Sequence, residues 1–377
     1  KVKWLHKDIP INEFNDIAKK SLHWRRTVYK IQKQEALESI KKAMKKYAIF
    51  DGFVKEPLFE DKNLKQYEEL VTTLEKLSQS IFISEQKLKN IQQLLKEKKQ
   101  VIFYGPPGTS KTFVAKKFSE YFVNGKKENI EIVQFHPSYS YEDFIEGIKP
   151  RLSIEGEATG FIKQPGILKN LVDKCIKNPN ENFVLIIDEI NLGNISKIFG
   201  ELIYLLEYRN EKVRLTYSPN EEFYIPNNLY IIGIMNSADR SIAFVDYALR
   251  RRFYFIDFYP DAENEDILKK WFIKNRIKEY YQNNVLEMMR EINIEISNKL
   301  GREYQIGYSY FMHSLDYEKV KRIIDYAIIP LVEQYFFGKK ESVGVIKNIC
   351  GTYLIKLQDF ENGKERSLSS SLESFSS

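Results

Sequence analysis

The sequence predicts an α/β fold: a parallel sheet covered on both faces, followed by a separate helical domain. Three observations carry this expectation. Five short, wholly apolar runs alternate with helical stretches, which is how strands buried on both faces read. Beyond Pro260 the apolar residues recur instead at i, i+3 and i+4, the spacing of one helix face. The 377 residues also exceed what a single core usually supports, so two or three domains are expected.

From the start, Val2-Lys3-Trp4-Leu5 alternates like a strand. The stretch from His23 to Lys30 then interleaves basic and aromatic residues. Residues 1–33 read as the tail of an N-terminal domain that begins upstream, with DNA binding as the role its basic character raises. Residues 34–83 carry apolar positions at helical spacing (Ala36, Ile40, Ala43; Leu64, Tyr67, Leu70, Leu74, Leu77), broken by Gly52 and Pro57, and form a helical connector. Ser84 followed by Glu85 marks a helix start, with a run through Leu88, Ile91 and Leu95 to the lysines at 96, 98 and 99. The predicted strands follow at Val101–Tyr104, Ile130–Phe135, Phe183–Ile187, Tyr230–Met235 and Phe253–Phe258, within an α/β domain of residues 84–260. Helices are expected at Asp266–Ile273, Val285–Leu300 and Tyr317–Phe337, within a helical lid of residues 261–365. A serine-rich tail of residues 366–377 is expected to be disordered.

The bulk composition excludes several classes. Aliphatic and aromatic residues are plentiful, so the chain is globular. Cys175 and Cys350 match no metal or redox spacing, and none of the four histidines (His6, His23, His136, His313) has HxxxH spacing, so a zinc site is not expected. No apolar run reaches ~18 residues, which points to a soluble, cytoplasmic protein without a membrane partner. The formal charge of +6 is uneven. Residues 1–100 hold 22 Lys and Arg against 14 Asp and Glu, a net of +8, and the remainder nets −2. That flank is either a polyanion-binding surface or a solvated helical face.

Gly105-Pro106-Pro107-Gly108-Thr109-Ser110-Lys111-Thr112 follows the first strand and opens a helix, the context a phosphate-binding loop requires. Such a loop aims backbone N–H groups at phosphate oxygens, and the helix N-terminus adds its positive end. Lys111 would contact the β and γ phosphates, and Thr112 would ligate Mg²⁺ through its hydroxyl. Ser110 stands where glycine is usual. A backbone needing φ > 0 there costs about 1 to 2 kcal/mol, and an ordinary backbone costs nothing.

Phe183 to Ile187 leads straight into Asp188-Glu189, two carboxylates at the carboxyl end of a buried strand, where parallel sheets bind ligands. Asp188 would hold Mg²⁺ beside Thr112, and Glu189 would polarise the attacking water. The next strand ends in Asn236, an amide at the same edge. Asp239-Arg240 follow, then Arg250-Arg251-Arg252, from which an arginine could reach a neighbouring subunit's nucleotide.

Together these motifs mark an AAA+ P-loop core with a C-terminal helical lid and a partial, basic N-terminal region. The chain resembles the McrB family, GTP-hydrolysing AAA+ motors of modification-dependent restriction systems. The residues that carry the likeness are Val133 to Gly147 (Val-Gln-Phe-His-Pro-Ser-Tyr-Ser-Tyr-Glu-Asp-Phe-Ile-Glu-Gly), Ile186 to Asn191, Ser196 to Glu201, Met235 to Ser241 (Met-Asn-Ser-Ala-Asp-Arg-Ser) and Val245 to Phe253. The resemblance implies GTP rather than ATP, Mg²⁺, a homo-oligomeric ring with six subunits, a McrC-type nuclease partner, DNA recognition and a role in antiphage defence. It implies Asn236 as sensor, Asp239 and Arg240 serving the neighbouring site, and Arg251 as the finger with Arg250 second. Leu192 stands where many relatives have Arg. Gly307-Tyr-Ser-Tyr-Phe311 stands where Gly-His-Ser-Tyr-Phe is usual and receives no catalytic role.

Three functions fit these residues. The first is a GTP-driven DNA translocase subunit that activates a nuclease. An ATP-dependent protein remodeller of the MoxR or dynein-related type keeps the same core. A nucleotide-assembled DNA-docking scaffold would explain Ser110 and Leu192 as marks of weak catalysis.

Overall fold

The computed structural model describes residues 2–4, 7–9, 73–152, 158–238, 247–260 and 267–363. The expectations for residues 10–72, for Asp239 and Arg240, and for the serine-rich tail lie outside these. The chain divides into two compact units, Lys1–Glu69 and Leu70–Ser377. In the first, Val2–Trp4 pairs antiparallel with Lys7–Ile9, Val2 facing Ile9.

The second unit is built on a five-stranded parallel sheet: β1 (Gln100–Gly105), β2 (Ile130–Gln134), β3 (Phe183–Asp188), β4 (Leu229–Asn236) and β5 (Tyr254–Asp257). The order across the sheet is β5-β1-β4-β3-β2. All five predicted runs are strands, each within two residues of its expected ends. Register places Asn236 beside Gly105, and Gln134 beside Asp188, so the polar ends of β1, β3 and β4 share one edge.

Alternation along each strand divides its side chains between two cores. Val101, Phe103, Ile186 and Ile232 pack with Leu88, Ile91, Val114 and Phe118, which belong to helices Glu85–Lys98 and Lys111–Phe122. Ile102, Leu185, Ile187 and Ile231 pack on the other face with Leu168, Leu171 and Leu205, from helices Ile167–Lys177 and Leu202–Glu207. Ser84 caps the first of these helices as its sequence predicts, accepting from Lys87 N–H at 3.2 Å.

Gln100, fully buried at the start of β1, ties three elements. Its Nε2 donates to Leu206 O and to Arg252 O, both at 2.7 Å, and its Oε1 accepts from Arg209 at 2.7 Å. Arg209 is itself buried and donates to Leu229 O at 3.1 Å. Burial lowers its pKa to about 10, which leaves it charged at neutral pH.

Two antiparallel hairpins were not foreseen: Glu146–Leu152 with Ala158–Pro165, and Val213–Leu215 with Ser218–Phe223. Their strands are charged and largely exposed, so they lack the apolar alternation that marks a half-buried strand. Glu146 joins them instead. It is fully buried and accepts from Lys169 Nζ at 2.5 Å and from Ser218 Oγ at 2.8 Å.

The helical part comprises Ile267–Lys274, Glu279–Leu300, Tyr317–Tyr335 and Lys340–Glu361 around a core that includes Phe272, Val285, Met288, Val332, Ile346 and Leu357. The third helix widens to a π-turn at Ile324–Ile328. Pro330 has no N–H to offer the carbonyl of Tyr326 four residues back, so the ladder is interrupted there.

Candidate functional site

Gly105 ends β1 with φ +155, and a Cβ there would lie 2.2 Å from Phe258 O, so only glycine fits. The loop then turns through Gly108 at φ +78 to Ser110 at φ 60, ψ 21. Ser110 is therefore left-handed, and its strain is of the order expected for a non-glycine residue, about 1 to 2 kcal/mol. Helix Lys111–Phe122 starts directly after it.

Every carbonyl from Gly105 to Thr109 is occupied. Lys111 Nζ, its side chain buried, donates to Gly105 O at 2.9 Å and Pro106 O at 2.8 Å. Ser237 N–H also reaches Gly105 O at 2.8 Å, and Thr109 Oγ1 reaches Pro106 O at 3.0 Å. The other three carbonyls are taken by the helical part. Gly307 N–H donates to Pro107 O at 3.1 Å, Ser309 N–H to Gly108 O at 2.9 Å, and the Tyr308 hydroxyl to Thr109 O at 2.6 Å. With its carbonyls held in this way, the loop is a candidate anion-binding concavity.

Facing the loop, Thr112 Oγ1 lies 3.3 and 3.4 Å from the two Asp188 oxygens. Glu189 follows in a left-handed conformation, φ 51 and ψ 44, and its N–H donates to Asp188 Oδ1 at 3.2 Å. Glu189 Oε1 accepts from Asn236 Nδ2 at 2.6 Å. Gly108 to Phe113, Asp188, Glu189, Ile234, Asn236 and Ser309 line a cleft of about 240 Å³. That is close to the ~300 Å³ lower end of ligand pockets and gives room for a phosphate chain.

Among the described residues no group of three or more His, Cys, Asp or Glu could hold a metal. One carboxylate and one hydroxyl, Asp188 and Thr112, suit Mg²⁺, which takes few protein ligands and completes its shell with phosphate oxygens and water.

The three arginines separate by environment. They sit in helix Tyr247–Arg252. Arg252 has 11% of its side chain exposed and lies 3.3 Å from Glu207 Oε2; Arg251 is 67% exposed and reaches the same oxygen at 2.9 Å. Arg250 is exposed.

Comparison with known proteins places a family boundary on each part. Residues 100–253 match the AAA domain (dynein-related subfamily), and residues 284–344 match the alpha-helical lid domain of McrB. The chain joins a McrB-like AAA domain to a McrB lid domain. It is 41% identical over 281 residues to the type IV methyl-directed restriction enzyme EcoKMcrB subunit of Escherichia coli K12, a match covering 70% of the chain and 60% of that relative. It thus spans less than two thirds of the E. coli subunit's length. It is 26% identical over 243 residues to the type II restriction enzyme BsuMI component YdiS of Bacillus subtilis, covering 55% of the chain and 70% of that protein. A human protein, neuron navigator 3, is 25% identical over 223 residues but only 8% of it is covered.

The McrB-like AAA domain brings together Gly105 to Thr112, Asp188, Glu189 and Asn236 as the sequence expected. Arg250 and Arg251 stand apart from this cleft's lining. The contribution of the McrB lid through Gly307 to Tyr310 was missed. Those residues lie in an irregular stretch where periodicity gives no signal; the cues were the Gly307-Tyr-Ser-Tyr-Phe311 motif and its glycine, which lies against Gly108 with no side chain between: a Cβ on Gly307 would be 2.1 Å from Gly108 C. No described helix is long and apolar enough to cross a membrane.

Proposed function

We propose that the chain is a GTP-hydrolysing AAA+ motor subunit of a two-component restriction system, which translocates DNA and activates a McrC-type nuclease. The observation that carries this reading is the alignment of Thr112, Asp188, Glu189 and Asn236 around one phosphate-sized cleft, in a chain 41% identical to a methyl-directed restriction subunit.

In this reading Lys111 leaves Gly105 O and Pro106 O for the β and γ phosphates. Ser237 N–H and Thr109 Oγ1 still hold those two carbonyls, so the loop keeps its shape. Thr112 and Asp188 hold Mg²⁺, which when bound supplies neutralising charge to the phosphate oxygens. Glu189 accepts a proton from the attacking water, and Asn236 fixes the carboxylate that receives it. A neighbouring subunit of a six-membered ring contributes Arg251 or Arg250 to the charge that develops on the transferred phosphoryl group. Asp239 and Arg240 serve that same shared site.

The dynein-related character of the AAA match favours, as second reading, an ATP-dependent remodeller. Turnover of GTP and of ATP by the purified chain, with and without the nuclease, separates the two. GTP hydrolysis that exceeds ATP hydrolysis and rises with the nuclease supports the restriction motor. Equal or better ATP hydrolysis, or no nucleotide-dependent ring, overturns it.

A further inference from the structure

The lid supplies three of the hydrogen bonds that shape the phosphate loop, and it also places a hydroxyl in the cleft. Ser309 is a lining residue alongside Glu189 and Asn236. Its backbone is engaged on both sides: the N–H donates to Gly108 O at 2.9 Å, and the carbonyl accepts from Met312 N–H at 3.2 Å. Its side-chain oxygen forms no hydrogen bond among the described residues, and it lies 3.3 Å from where a Cβ on Gly108 would stand. Ser309 is half-buried, and its hydroxyl can both donate and accept.

The neighbours on each side anchor the segment that carries that hydroxyl. Tyr308 is buried and clamps Thr109 O at 2.6 Å; the Tyr310 ring lies against Gly108, where any Cβ would be 2.7 Å from it. Burial raises the Tyr310 hydroxyl above its ordinary pKa, so it stays protonated and uncharged beside the site. Ser309 thus sits between two anchored aromatic residues with its backbone in register on the loop.

We propose that Ser309 donates a hydrogen bond to the terminal phosphoryl group of the bound nucleoside triphosphate, and that Tyr308 is the positioning residue that holds it there. The proposal rests on the reading of the cleft as a nucleoside triphosphate site. It assigns to the lid a contact made with a triphosphate and not with a diphosphate, through a neutral hydroxyl. Among the described residues no lid arginine lines the cleft.

The test measures binding of a non-hydrolysable GTP analogue and of GDP to the full chain, with steady-state kcat and KM alongside. Ser309→Ala should weaken the analogue about tenfold, the scale of a hydrogen bond to a charged group, and change GDP less than about twofold. Ser309→Thr, which keeps the hydroxyl, should restore most of that loss. Tyr308→Phe should weaken both nucleotides, the analogue more than GDP, because it loosens the loop and also releases Ser309 from its place. Unchanged analogue binding in Ser309→Ala, or equal loss for the analogue and GDP, overturns the assignment. Lys111→Ala in the same assay keeps the two levels apart. If it loses binding while Ser309→Ala does not, the site reading stands and only this inference falls; if it binds normally, both fall.

Discussion

Asn236 Nδ2 lies 2.6 Å from Glu189 Oε1, a bond between the ends of adjacent parallel strands. Glu189 leaves its strand in a left-handed conformation, and its carboxylate is held there by the Asn236 amide. Glu189→Gln should retain nucleotide binding and lose turnover by about 10²- to 10³-fold, and Asn236→Ala should lose about tenfold or more in kcat with KM little changed. If the two act as one unit, the double variant will be no slower than the slower single one. Additive losses in steady-state hydrolysis would show instead that they act separately.

Ser110 carries left-handed strain that glycine would not. Ser110→Gly relieves about 1 to 2 kcal/mol of it but frees the unfolded chain by about 0.5 to 1 kcal/mol, so a net gain between about 0 and 1.5 kcal/mol is expected. A melting temperature raised by one to a few degrees is the expected readout. A fall would mean that the serine side chain contributes more than its backbone costs.

The arginine run should divide by function. Exposed ion pairs contribute only about 0 to 1 kcal/mol, so Arg250→Ala and Arg251→Ala should leave the melting temperature close to that of the parent. Arg252→Ala, at the least exposed position, should lower it clearly. A finger would reveal itself when one of the first two variants abolishes turnover in the assembled ring while nucleotide affinity holds. Titrating the variant into parent subunits reads this directly, because a trans residue poisons its neighbour's site.

Cys175 and Cys350 are both buried, and burial pushes each thiol from 9.0 up to about 12. The thiolate is the reactive form, so at pH 8 neither should react with a thiol reagent until the chain is unfolded in denaturant, when both should. Because each thiol titrates higher folded than unfolded, its contribution to stability is intact below 9.0 and is lost as pH rises through that value toward about 12. Denaturant midpoints from pH 8 to 11 should fall accordingly, and less so in a Cys175→Ala variant.

The five strands were legible because burial on both faces leaves continuous apolar runs, and Gly105, Asp188 and Asn236 mark where three of them end at the shared polar edge. Ser84 was legible for the same local reason, a side chain capping its own helix. The two hairpins were not, since Glu146, Lys169 and Ser218 hold them by buried polar contacts between residues up to 72 positions apart. The lid's part in the site was equally hidden. Tyr308 and Thr109 are 199 positions apart, and nothing in either neighbourhood announces the other.

Gln100 gives the phosphate loop and the arginine helix a common support. The loop hangs from one end of β1, and Arg252 O is bonded at the other end, five residues away in a strand rising about 3.3 Å per residue. The two ends are therefore ~17 Å apart along a strand pinned by Leu206, Arg209 and Arg252. In the ring proposed above, a pull on the arginine helix by a neighbour would be delivered in series along that strand to the loop proposed to grip this chain's own nucleotide.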